Sequence, residues 1–350
     1  MERASVFSLT GSAKADGQPP RDESRETSDQ GAWLHLDGDL DGARAAYLAA
    51  LQRDPGNATA HNNLGFLLAQ QGDLEGAIAH YERALEIDPR RSMALANLGI
   101  ARAIGGDAEA AIDLLVQAVD SDARNLLALD NLAKLLLREG RLGEAEACWR
   151  RAVDLSPTEA PFHLALGTAV AGQQRLGEAA DILRRATVLA PDSARAWEQL
   201  GVVLLLRQDL GSATEALERA VALDTGAISA RSHLAIVSTA RGDRPKALAE
   251  LERILEVDPE NVAARIDVAI HVIADGQLAK ALAYLDRALA VDARNQRARF
   301  YRGVVLDLAG RPAEAEAELV AVAADADEKY ADRARRYLTD RLARKTSGAA

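Results

Sequence analysis

The sequence predicts an all-α solenoid of stacked helix pairs, and three observations predict it. A 34-residue period runs without insertion or deletion from Ser24 to Lys329, and self-similarity at such an interval marks a repeat array. Two columns hold small residues throughout. One is Ala43, Ala77, Ala111, Ala145, Ala179, Ala213, Ala247, Ala281 and Ala315; the other is Gly31, Gly65, Gly99, Ala133, Gly167, Gly201, Ala235, Ala269 and Gly303. Composition agrees: 48% of the chain is hydrophobic but only 4% is aromatic, and an apolar mass of Ala and Leu suits closely packed helices.

The elements follow in order. Residues 1–23 are polar, with Gly17, Pro19 and Pro20 and no helical period, and are expected to form a disordered tail. Ser24 to Gly31 is acidic and polar but already in register, which makes it a degenerate first helix. Each later unit in 24–329 has one grammar. A helix carries an apolar stripe, as in His61 to Leu68, and a turn such as Gln71-Gly72-Asp73 follows. A second helix such as Glu75 to Glu86 then ends at a break such as Asp88-Pro89. The glycine column lets two helices approach, with the alanine column expected opposite it. A bulky residue four positions after each alanine (Tyr47, Tyr81, Leu115, Trp149, Leu183, Leu217, Leu251, Leu285, Leu319) lies on the same helix face and fills the core. Pro55, Pro89, Pro157, Pro191 and Pro259 stop second helices. Proline is absent at 123, 225, 293 and 327, where looser junctions are expected. Residues 330–350 complete the chain as a basic capping helix and short tail, with Tyr330, Ala334, Tyr337, Leu338 and Leu342 on one apolar face.

These columns resemble the tetratricopeptide repeat (TPR) family: a small residue at repeat position 8, Ala at 20, an aromatic or Leu at 24, Ala at 27 and Pro at 32, over nine units. Ile254 and Val322 depart from the pattern at position 27. The resemblance implies a right-handed superhelix whose first helices line a concave groove through positions 2, 5, 6, 9, 12 and 13. Position 6 supplies Asn63, Asn97 and Asn131 in three consecutive units. A row of amides can both donate to and accept from an extended peptide backbone, and this row resembles the asparagine ladder of the O-linked N-acetylglucosamine transferases. Around it the groove columns hold Phe66, Ile100 and Ile104, then Asp130, Lys134 and Arg138. Further along they hold Val202, Leu205, Ile236, Ile266, Ile270, Ile273 and Val304, an apolar strip suited to a hydrophobic peptide or amphipathic helix. The alternative for these side chains is burial between adjacent first helices. The carboxylate clamp of chaperone-binding relatives needs a different residue set, and Phe66 and Ile100 occupy its asparagine slots.

Several function classes are disfavoured. A net charge of −11 argues against a general nucleic-acid binder. The single cysteine, Cys148, rules out an intramolecular disulfide and has no evident base beside it. Asp37 to Gly42 imitates the start of a calcium loop but has Leu48 where the last carboxylate ligand belongs; in register it is a turn. The six histidines show no metal spacing, and no phosphate-binding or nucleophile motif occurs. No signal peptide or membrane span is evident, so a cytoplasmic location is expected. The helix after residue 329 is strongly basic, and Arg333, Arg336, Arg341 and Arg344 form a candidate docking face for an acidic partner or anionic lipid; the alternative is a solubilising cap.

The expected function is a non-catalytic, cofactor-free and metal-free scaffold or adaptor, of bacterial type, that binds a protein or peptide in its groove. Two alternatives stand beside it: a substrate-recognition subunit of a protein-modifying enzyme such as a glycosyltransferase, and a bacterial assembly factor docked to membrane machinery. The sequence does not assign an oligomeric state.

Overall fold

The period is reproduced helix by helix. The computed structural model describes residues 19–325 and 328–347, with side chains over 23–325 and 329–343. The first helices of the pairs are α1 (Pro19–Leu36), α3 (Ala58–Gln70), α5 (Ser92–Ile104), α7 (Leu126–Arg138), α9 (Ala160–Gly172), α11 (Ala194–Leu206), α13 (Ile228–Ala240), α15 (Val262–Ala274) and α17 (Gln296–Leu308). The second helices are α2 (Leu40–Arg53), α4 (Leu74–Ile87), α6 (Ala108–Ser121), α8 (Leu142–Leu155), α10 (Leu176–Leu189), α12 (Leu210–Leu223), α14 (Arg244–Val257), α16 (Leu278–Val291) and α18 (Pro312–Ala323), and α19 (Glu328–Ser347) follows. From α3 to α17 and from α2 to α18, each start falls 34 residues after the last. No strand occurs among the described residues. The described residues up to 189 (α1–α10) form one compact unit and those from 190 on (α11–α19) another. Within each unit a helix packs most on its pair partner and next on the sequence-adjacent helix of the neighbouring pair.

Two boundaries differ from the sequence expectation. Helix α1 starts at Pro19, so residues 19–23, assigned to the tail, are helical. Proline at a helix start lacks only an N–H that would have no helical acceptor, and Pro19-Pro20 begin the helix instead of barring it. Residues 1–18, the rest of that expected tail, lie outside the described residues. Three of the proline-free junctions also end cleanly, since α6, α12 and α16 stop at the same register as α4; the fourth, at 327, lies outside the described residues. The shared device is aspartate. Asp88, Asp122, Asp224 and Asp292 each accept on a carboxylate oxygen from the backbone N–H two residues on, at 2.9–3.3 Å, a side-chain turn that competes with further helix.

The core is built where the small and bulky columns meet. A Cβ placed on Gly65 would lie 2.8 Å from Cε1 of Tyr81 and 3.0 Å from the Ala77 carbonyl oxygen. The glycine therefore faces the bulky side chain and the alanine backbone, not the alanine methyl as the columns alone suggest. The same approach recurs at Gly167 against Leu183 and Gly201 against Leu217. All nine column alanines are buried, as are all nine bulky residues. The turn after each first helix needs a left-handed residue, supplied by Gly72, Gly106 and their equivalents but by Gln174 and Gln208 in two units. The calcium-like stretch is such a turn: Gly38 has a φ of +87°, and the Asp39 carboxylate caps α2 by accepting from the Gly42 N–H at 2.9 Å.

One buried acid ties the first unit together. Glu146 on α8 is bonded by Arg150 at 2.7 Å, by Arg175 at 2.7 Å and by Gln173 at 2.6 Å. Burial pushes its carboxyl up, but the bonds from Arg150, Gln173 and Arg175 outweigh that and hold it below the ordinary carboxylate range. A carboxyl depressed in the folded state stabilises above its unfolded pKa of about 4.3, and the contribution disappears as pH falls through the lower folded value. Glu146→Gln is expected to be less stable than wild type by about 2 kcal/mol at neutral pH, with the gap closing as the pH drops into the acid range. Urea midpoints measured against pH check this, and a pH-independent gap contradicts it.

Candidate functional site

The asparagine row does not stand as a ladder. Asn97 is 0% exposed and Asn63 is buried beside it. Asn97 Nδ2 donates to Asn62 Oδ1 at 3.0 Å, and Asn62 Nδ2 donates to Asn63 Oδ1 at 3.2 Å. These amides join α3 to α5. Asn131 is half-buried, and its Nδ2 donates to the Leu127 carbonyl of its own helix at 2.8 Å. Phe66 and Ile266 are also core residues; Phe66 packs on the His35 ring with centroids 5.2 Å apart. Ile273 packs against the buried cluster of the second unit.

Other predicted positions converge on two clefts, one in each unit. The first, of about 500 Å³, lies between α5 and α7 over Leu115 of α6. Ile100, Ala103 and Ile104 form one wall, and Asn131, Lys134, Leu135, Leu137 and Arg138 form the other. Ile100 is buried and makes the floor, whereas Ile104 is 60% exposed at the mouth. Lys134 and Arg138 are exposed, so cations rim an apolar floor. Asp130 orients this rim. It pairs with Lys134 at 2.6 Å through one oxygen and accepts from the buried Trp149 Nε1 at 2.9 Å through the other. Arg138 has no ion-pair partner among the described residues.

The second cleft, of about 490 Å³, lies between α13 and α15 over Leu251. It is lined by Ile236, Thr239, Ile270 and His271, with Asp267, Arg297 and Tyr301 beside them. Ile236 is 53% exposed, Ile270 is half-buried, and Asp267 and Arg297 form an ion pair. Thr239 Oγ1 lies 3.1 Å from His271 Nε2, and burial lowers the pKa of that imidazole. The clefts use equivalent positions four repeats apart: Ile100 corresponds to Ile236, Leu115 to Leu251, Asn131 to Asp267 and Lys134 to Ile270.

Selecting apolar residues in the sequence passed over Asp267, Arg297, Tyr301 and Thr239. They occupy positions 6, 2, 6 and 12, which are groove columns, so the signal was present.

The basic terminal helix divides. Arg333 and Arg336 are exposed, with the Arg333 guanidinium 5.3 Å from the Tyr330 ring centre. Arg341 is not a docking residue. It is 8% exposed, pairs with Asp307 at 2.9 Å and Glu316 at 3.4 Å, and donates to the Pro312 carbonyl at 3.1 Å. The Arg344 side chain lies outside the described residues. Elsewhere, burial pushes the Cys148 thiol up, away from reactive thiolate. His61 and His80 face each other with Nδ1 atoms 2.9 Å apart, and burial lowers both pKa values. Among the described residues no helix is long and apolar enough to cross a membrane.

A fold of 34-residue helix pairs with clefts between successive first helices defines a protein-interaction repeat. The tetratricopeptide repeat profile matches residues 37–92, 77–126, 97–160, 131–194, 164–228, 240–293 and 269–331; the chain belongs to the tetratricopeptide repeat family, whose members generally bind protein or peptide partners. Comparison with curated proteins returns no significant match. Among solved structures, the chain is similar to the C-terminal part of a TPR repeat-containing protein from Cytophaga hutchinsonii: 18% identity, TM-score 0.55, covering 69% of this chain and 98% of that one. PilF of Pseudomonas aeruginosa is 20% identical with TM-score 0.51, covering 59% of this chain and 94% of that one. YrrB, described as a TPR protein with an unusual peptide-binding site, is 24% identical with TM-score 0.49, covering 53% of this chain and 95% of that one. At these identities the likeness shows the fold alone.

Proposed function

We propose that this chain is a non-catalytic scaffold that binds segments of partner proteins in the clefts between its first helices. The observation that carries the proposal is the pair of clefts built from the same repeat positions, each with an exposed isoleucine at its mouth (Ile104 and Ile236). Exposed apolar side chains on a preformed concave surface favour docking of an apolar group at small ordering cost. The first cleft fits an apolar side chain followed by a carboxylate, which would meet Arg138, since Lys134 is already held by Asp130. At the second cleft Asp267 and Arg297 already satisfy each other, leaving Ile236, Ile270 and Tyr301 to select for apolar groups.

Selection of a random peptide display library on the full chain tests this. Peptides enriched on wild type are expected to lose about 30-fold in affinity on an Ile104→Asp/Ile236→Asp variant with unchanged helical circular dichroism. Equal enrichment on both proteins would overturn the proposal.

A further inference from the structure

The two outermost described helices carry complementary faces. Helix α1 packs on α2 and α3 through Gly31, Leu34 and His35. Its other side aligns Glu26, Asp29 and Trp33 at helical spacing, with Asp37 in the turn just past its end. Trp33 is 73% exposed, and the three carboxylates have no ion-pair partner among the described residues. A large exposed aromatic beside unpaired acids is suited to a cationic, partly apolar surface. Helix α19 offers one. It carries seven Lys and Arg against three Asp and Glu. Tyr330, Ala334, Tyr337 and Leu338 pack on the preceding pair, while Arg333, Arg336 and Leu342 are exposed.

We propose that the chain self-associates head to tail, with the α1 face of one copy seated on the α19 face of the next. Arg333 and Arg336 pair with Glu26 and Asp29, and the Trp33 ring takes a guanidinium on its face. The two faces are unlike, so each copy uses one of each and the contact is heterologous, which lets copies add in a ring or in an open series. The net charge of −11 opposes indiscriminate association and confines attraction to this pair of faces.

Sedimentation velocity of the full chain over a concentration series tests the proposal. Wild type is expected to rise above monomer mass as concentration increases. Glu26→Lys/Asp29→Lys and Arg333→Glu/Arg336→Glu should each associate at least about tenfold more weakly, because each brings like charges together. An equimolar mixture of the two variants should restore association, since their altered faces complement each other. Circular dichroism checks that both are folded. A monomeric wild type, variants that associate like wild type, or a mixture that stays monomeric would each overturn the proposal.

Discussion

Trp149→Ala is expected to lower the stability of the first unit by about 4 kcal/mol, the largest effect of any single truncation in the chain. Among the described residues Trp149 is the bulkiest fully buried side chain, at 1% exposure, and it fills the column that Leu occupies in most units. Helices packed along one axis cannot collapse around so large a void without shifting the neighbouring pair. The indole also holds Asp130, which holds Lys134 at the rim of the first cleft. Trp149→Phe separates the two roles: it keeps most of the buried area, loses the bond to Asp130, and should cost about 1 kcal/mol. Urea unfolding followed by circular dichroism gives the totals, and hydrogen exchange shows whether the loss concentrates in α7 and α8. A cost for Trp149→Ala near that of Trp149→Phe would mean that packing is not what the residue supplies.

Gly65→Val is expected to cost about 3 kcal/mol by overpacking. The new side chain would meet both the Tyr81 ring and the Ala77 carbonyl oxygen, and the carbonyl belongs to the backbone of a helix that can yield only by moving. Gly65→Ala should cost clearly less, because Ala133, Ala235 and Ala269 occupy the same column opposite Trp149, Leu251 and Leu285. The same denaturation measurement checks both. A valine variant as stable as wild type would contradict the close helix approach that defines the pairs.

Both effects arise at columns legible in the sequence, because the period reports packing directly. A residue that must be small or bulky at one contact must be so at its equivalents, and the helix starts repeat as the columns do. The start of α1 was less legible, because the proline that ends a helix elsewhere begins one there. The site was legible by column but not by side chain. Asn97 and Asn131 share position 6, yet Asn97 is buried by Asn62 of the preceding unit whereas Asn131 lines a cleft. The deciding neighbour is about a repeat away and at a different position, where periodicity carries no information. Arg341 makes the same point. Its charge marked it for the surface, but Asp307 and Glu316 meet it underneath.

The most direct test of the binding account is hydrogen exchange of the full chain with and without a peptide selected on it. Protection confined to α5 and α7, or to α13 and α15, is the predicted result. Protection elsewhere, with those four helices unchanged, would contradict it.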